Sequence, residues 1–206
     1  MNILERARNY YGNELKYFSK DLLKYFYISI AVFLFGIVVS LVVFHNNSDL
    51  AIDIFKQIAQ SLKEKGLDDL NAGSLSLKIF MNNVEVAIMI LFLSLIPLIP
   101  FGILICFLNG LIVGLIAFVF YLKISNLYLL IISILPHGII ELPVIFYTTA
   151  MSLLIWKKVN LSIMNKKSSP EINLLKIVKS LLFIIIPFLI IASLIESFIT
   201  PIFLPK

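Results

Sequence analysis

One cysteine in 206 residues and a charged fraction of only 14% narrow the possibilities before any motif is sought. A single thiol, Cys106, excludes an intramolecular disulfide, and its place in an apolar run suits a packed small side chain. The shortage of charge is more telling. With 60% hydrophobic residues and a mean hydropathy of +1.02, the chain has far more apolar surface than a soluble domain of this length can bury. Alternating segments of about ten residues, the mark of a transmembrane β-barrel, are missing. So are HExxH, GxSxG, CxxC and GxxxxGK[ST], which gives membrane-protease and nucleotide chemistry little footing and calls for no cofactor. The expectation is an all-α polytopic membrane bundle, in which each span satisfies its own backbone hydrogen bonds.

The net charge of +5 needs no nucleic-acid partner, because the basic residues flank apolar runs, where they favour anionic lipid head groups of the bilayer. The first 24 residues lack the small-residue cleavage site of a signal peptide. Tyr10, Tyr11, Leu15, Tyr17, Phe18 and Leu22 interleave there with basic residues, which predicts an amphipathic surface helix over 1–24. Residues 25–206 then form one membrane domain. Residues 25–44 are 20 without a charge, about 30 Å of helix and enough for one span. A polar stretch follows, bounding an extramembrane loop at 45–80, and within it Leu50, Ile54, Ile58 and Leu62 recur every four residues. That spacing predicts an amphipathic helix over 49–65, capped by Ser48 or Asp49 and stopped at Gly66.

Residues 86–122 carry no charge over 37 positions, too long for one span, so Asn109-Gly110 is the expected break, with kinks at Pro97 and Pro100. Residues 111–122 are then too short to cross alone, and 111–135 either crosses or re-enters. A further break is expected at Pro136, and a last span over 180–200 with a kink at Pro187. Five lysines and arginines lie in the first 24 residues and six in 157–179 against one acid, while the 45–77 stretch holds three basic and five acidic residues. The positive-inside rule therefore predicts a cytoplasmic N-terminus, five crossings and an outer helical loop.

The most costly residues sit in the segment Ile134-Leu-Pro-His-Gly-Ile-Ile-Glu-Leu-Pro-Val144. A carboxylate near the bilayer centre costs roughly 2.5–3.5 kcal/mol, so Glu141 should face protein or a wet cavity. His137 stands four residues before it, on the same face if Pro136 opens a helix. Gly138 lets another backbone approach, and Pro143 frees the carbonyl of Ile139. Three readings follow. His137 and Glu141 are helix glue with Asn109, Asn82, Asn83 or Glu85; they line a proton, ion or substrate path; or, with Glu196, they form part of a metal site. Gly110-x-x-x-Gly114 is read separately as a close helix-packing face.

Phe80-x-Asn82-Asn83, Asn109-Gly110-x-x-x-Gly114, Pro136-His137-Gly138-x-x-Glu141-x-Pro143 and Glu196-Ser197-Phe198-x-Thr200-Pro201 together resemble the stage II sporulation protein M family. The likeness runs over roughly 80–201. It implies a multi-pass protein of the cell membrane that, in endospore formers, anchors peptidoglycan-degrading partners during engulfment. The resemblance thus favours a non-enzymatic membrane scaffold, expected to be a homodimer, that recruits envelope hydrolases through its outer loop. In that reading His137, Glu141, Asn109 and Glu196 form a buried polar network. The alternatives are a small transporter or channel using the same residues and, third, a metal-dependent intramembrane hydrolase.

Overall fold

A computed structural model of the chain describes residues 20–64, 71–124, 127–164 and 174–203, with side chains over 22–61, 71–122, 138–164 and 177–201. The surface helix expected at 1–24 lies almost wholly outside the described residues. Every described element is helical, and five helices are long and apolar enough to cross a membrane. The expected bundle of about five crossings is thereby found, although its breaks fall elsewhere than expected.

The first helix, α1, is Lys20–His45, and the amphipathic α2 is Ser48–Glu64, each within a few residues of its expected position. The third helix, α3, differs. It spans Ala72–Leu93, with the Ser74 N–H donating to the Asn71 side chain at 2.9 Å as its cap. The second crossing thus begins well before residue 86, and the connection from α1 ends at residue 71 rather than 80. Lys78 and Glu85 hid this span, because a search for charge-free runs stops at each of them.

The break after α3 comes at residues 94–100 and not at Asn109-Gly110. Pro97 and Pro100 each remove a backbone donor, and two such losses within four residues make a turn rather than a kink. Leu98 takes a left-handed φ of 74°, and its N–H donates to Asn160 Oδ1 at 3.1 Å. Helix α4, Phe101–Ile124, then runs uninterrupted through Asn109 and Gly110. The Asn109 amide donates to the Ile105 carbonyl at 2.9 Å, one turn back, and so does not disturb the helix. Residues 111–122 are thus the second half of a helix long and apolar enough to cross, rather than a separate half-span.

Helix α5, Leu127–Met164, is likewise continuous through Pro136, Gly138 and Pro143, so the expected break there is absent. A proline inside a helix removes one donor, and α5 continues past both prolines without a change of element. At 38 residues, about 57 Å, α5 is longer than a bilayer core, and residues Gly138–Met164 are its span. A last rod, α6, covers residues 174–203. Two π-helical turns, Leu181–Ile185 and Ile195–Ile199, interrupt it just before Pro187 and Pro201. The wider turn accommodates each proline ring: the Ile186 N–H reaches back to the Leu181 carbonyl and the Thr200 N–H to that of Ile195. The expected disturbance at Pro187 therefore takes the form of a π-turn.

Packing follows from the small residues. Helices α1 and α4 approach backbone to backbone: a Cβ at Gly36 would stand 2.5 Å from the Phe107 carbonyl oxygen, and one at Gly110 would collide with that of Phe33. Ser40 donates across the same seam to the Leu111 carbonyl at 2.8 Å. The Gly110–Gly114 pair is thus a packing face, as its spacing suggests. The span of α5 is the central one, with 61% of its most apolar 18-residue stretch buried. Phe146 meets Phe33 edge-on on one side, and Val144, Tyr147 and Ala150 join α3 and α6 on the other. Amphipathic α2 lies over the ends of α1 and α4, its fully buried Ala51 set among Phe44, Leu115, Phe118 and Val119.

The α1–α4 seam makes a direct prediction. Gly110→Ala should lower thermal stability in detergent by the equivalent of about 1–3 kcal/mol, the usual cost of overpacking. Gly73→Ala, whose added Cβ has only an ordinary 3.6 Å neighbour, should change little. Equal melting shifts for the two would contradict the seam.

Candidate functional site

Polar side chains inside this bundle are satisfied first by their own helices. Thr148 donates to the Val144 carbonyl at 2.7 Å, Ser152 to that of Thr149 at 2.7 Å, and Ser29 to that of Tyr25 at 2.8 Å. Between helices, Tyr147 donates to Ser180 at 3.2 Å, and the Ser76 and Ser193 hydroxyls meet at 3.3 Å. Cys106 is buried and its thiol faces the Ser29 carbonyl at 3.4 Å, the packed role its surroundings suggested. The Tyr147–Ser180 and Ser76–Ser193 contacts and the Cys106 thiol tie neighbouring helices together.

One place is different. A cavity of about 60 Å³ lies where α3, α4, α5 and α6 meet, walled by Asn82, Asn83, Asn109, Glu141 and Thr148 among Ile90, Val144 and Leu189. Four of the polar residues singled out from sequence therefore converge, from three helices, on one void. Asn83 is a hydrogen-bond partner of the Glu141 carboxyl, and Glu196, on the second π-turn of α6, lies within electrostatic reach of it. Glu141 and Glu196 are both half-buried, so the two acids face protein more than lipid. Thr148 was not anticipated. Its only signal is a hydroxyl two turns along α5 from Glu141, and such hydroxyls usually bond their own helix, as this one does.

The His137 side chain lies outside the described residues. Continuous α5 keeps positions 137 and 141 one turn apart, without the helix start at Pro136 that was to pair them. Among the described residues, no three His, Cys, Asp or Glu side chains come together as a metal site would need. A cavity of about 60 Å³ has room for one or two waters, each able to bridge a carboxamide to a carboxyl. Its chemistry is that of hydrogen-bond exchange among amides, carboxyls and water.

Removing the acid should expose that arrangement. Glu141→Ala leaves the Asn83 amide without its acceptor and should cost about 1–3 kcal/mol in thermal unfolding. Glu141→Gln keeps an acceptor oxygen and should cost clearly less. A Gln variant as damaged as the Ala variant would show that charge, not hydrogen bonding, holds the site.

Comparison with known proteins yields one match. No curated protein and no solved structure matches the chain. The family described as stage II sporulation protein M matches residues 29–201, which takes in all five spans almost completely and every residue of the polar site. The polar site and the five-span bundle around it are accordingly those of a member of the stage II sporulation protein M family, to which this chain belongs.

Proposed function

We propose that the chain is a non-enzymatic integral scaffold of the cell membrane that positions envelope proteins, peptidoglycan-remodelling enzymes among them, at the membrane surface. The observation that carries this reading is α2. Ala51 anchors it over the ends of two spans, while Asp49, Asp53, Lys56 and Gln57 stay exposed on its outer face. A rigidly held, acidic face at the edge of a membrane bundle suits the capture of another protein. The basic residues of 1–24 and 157–179 favour a cytoplasmic N-terminus, which puts α2 outside the cell.

The size of the inner cavity supports the same reading over a transporter. At about 60 Å³ it suits bridging water better than a polar substrate, and its carboxamides and carboxyls suit interhelical hydrogen bonding. In this role Glu141, Glu196 and Asn83 fix the mutual rotation of α3, α5 and α6, and Asn109 borders the same cavity from α4, one of the two helices that carry α2.

Charge reversal on the exposed face, Asp49→Lys with Asp53→Lys, should abolish recovery of an envelope hydrolase with the tagged protein, while the melting temperature stays within a degree or two. Undiminished recovery would overturn the docking role of α2. Substrate or ion flux in proteoliposomes, lost on Glu141→Gln in a folded protein, would replace the scaffold by a transporter.

A further inference from the structure

Of the five spans, α3 alone is both weakly apolar and weakly buried. Its membrane stretch has a mean hydropathy of 1.6 and is 22% buried, whereas that of α5, at 1.7, is 61% buried. The other poorly buried spans can face lipid because they are far more apolar, at 2.6 to 2.8. The polar excess of α3 is arranged along one side. Lys78, Asn82 and Glu85 fall at i, i+4 and i+7, and all three are exposed, flanked by exposed Leu77, Met81, Ile88, Met89 and Phe92. Glu85 lies about 20 Å along the helix from Ala72 and about 12 Å from Leu93, well inside the hydrocarbon layer. Among the described residues, no other span exposes a charged side chain so far from its ends. A carboxylate there costs roughly 2.5–3.5 kcal/mol against lipid, so this face is built to be covered by protein.

We propose that the face of α3 bearing Lys78, Asn82 and Glu85 is the surface on which two copies of this chain pair. Two copies in one membrane share an orientation, so their α3 helices run parallel across a two-fold axis. The order of the side chains suits that arrangement. Lys78 only donates hydrogen bonds, Asn82 one turn deeper both donates and accepts, and Glu85 a further turn deeper accepts. Lys78, six residues from the start of α3, keeps its ammonium toward the head groups, while Asn82 of each copy meets Asn82 of the other across the axis. The Asn82 amide can in turn donate to the other copy's Glu85. The stripe carries one positive and one negative charge, so the pair adds no net charge to the membrane interior. A carboxamide is also its own complement, the property that makes a single Asn an effective pairing residue between helices. Asn82 further belongs to the wall of the inner cavity, so a second copy on this face closes the polar site from outside. A helix from a different protein would have to supply polar groups at the same three depths, which a second copy does by symmetry.

This inference rests on the surface of α3 alone, and failure of partner capture through α2 would leave it standing. Mild oxidation of the full chain in its native membranes tests it. Met81→Cys and Ile88→Cys should each give disulfide-linked dimers, while Phe35→Cys, 60% exposed on α1, should not. The native Cys106 is buried and stays out of the reaction. In proteoliposomes holding donor- and acceptor-labelled protein, Asn82→Leu with Glu85→Leu should weaken energy transfer as an about tenfold rise in dimer Kd, the worth of one or two interhelical hydrogen bonds. Glu85→Leu alone, outside the cavity wall, should give part of that loss. Both changes make α3 more apolar, so failed membrane insertion would not explain lost pairing. Equal cross-linking through α1 and α3, unchanged energy transfer in the leucine variants, or cross-linking of Met81→Cys mainly to a protein of different mass would each overturn the proposal.

Discussion

A polar group facing lipid at bilayer depth finds no water, and the hydroxyls, prolines and acids of this bundle answer to that constraint. Serine and threonine hydroxyls bend back to their own carbonyls, as Ser29, Thr148 and Ser152 do. Asn109 does the same with its amide while its side chain borders the shared cavity. Where several such groups meet, at Glu141 and its asparagines, a small void is left between helices. That void is lined by the groups with most hydrogen-bonding capacity to spare.

The same constraint governs the prolines. Where two fall together, at Pro97 and Pro100, the chain leaves the helix and turns, and Asn160 on α5 supplies the acceptor for the left-handed Leu98. Where one stands alone in α6, the helix widens into a π-turn and reaches one residue further back for its acceptor. Pro136 and Pro143 are absorbed within α5 without a change of element. A proline thus signals a lost donor, and its surroundings decide whether the loss becomes a turn, a widened turn or no change of element.

Glycine shows a similar dependence on context. Asn109-Gly110 has the composition of a turn, yet Gly110 serves the close approach of α4 to the backbone of Phe33. In sequence, a glycine needed for a turn and one needed for contact look alike, and helix length was a poor arbiter. The charges of α3 misled in the opposite direction. Lys78 and Glu85 interrupt an apolar run without interrupting the helix, so the first part of the span they belong to read as loop.

Much was legible from residues alone, because hydropathy and charge act locally. Membrane class, helical fold, five crossings, the amphipathic α2 and the resemblance later matched over residues 29–201 all follow from runs, spacings and short motifs. Asn82, Asn83, Asn109 and Glu141 were also recognisable as candidates, since polar side chains in apolar surroundings need partners. What only the tertiary structure decided was which partners they find: four residues from three helices around one small cavity, with Glu196 nearby. It also decided where the helices break and which face of α3 is left uncovered. Those outcomes depend on what packs against each residue, and that is set by helices distant in the chain.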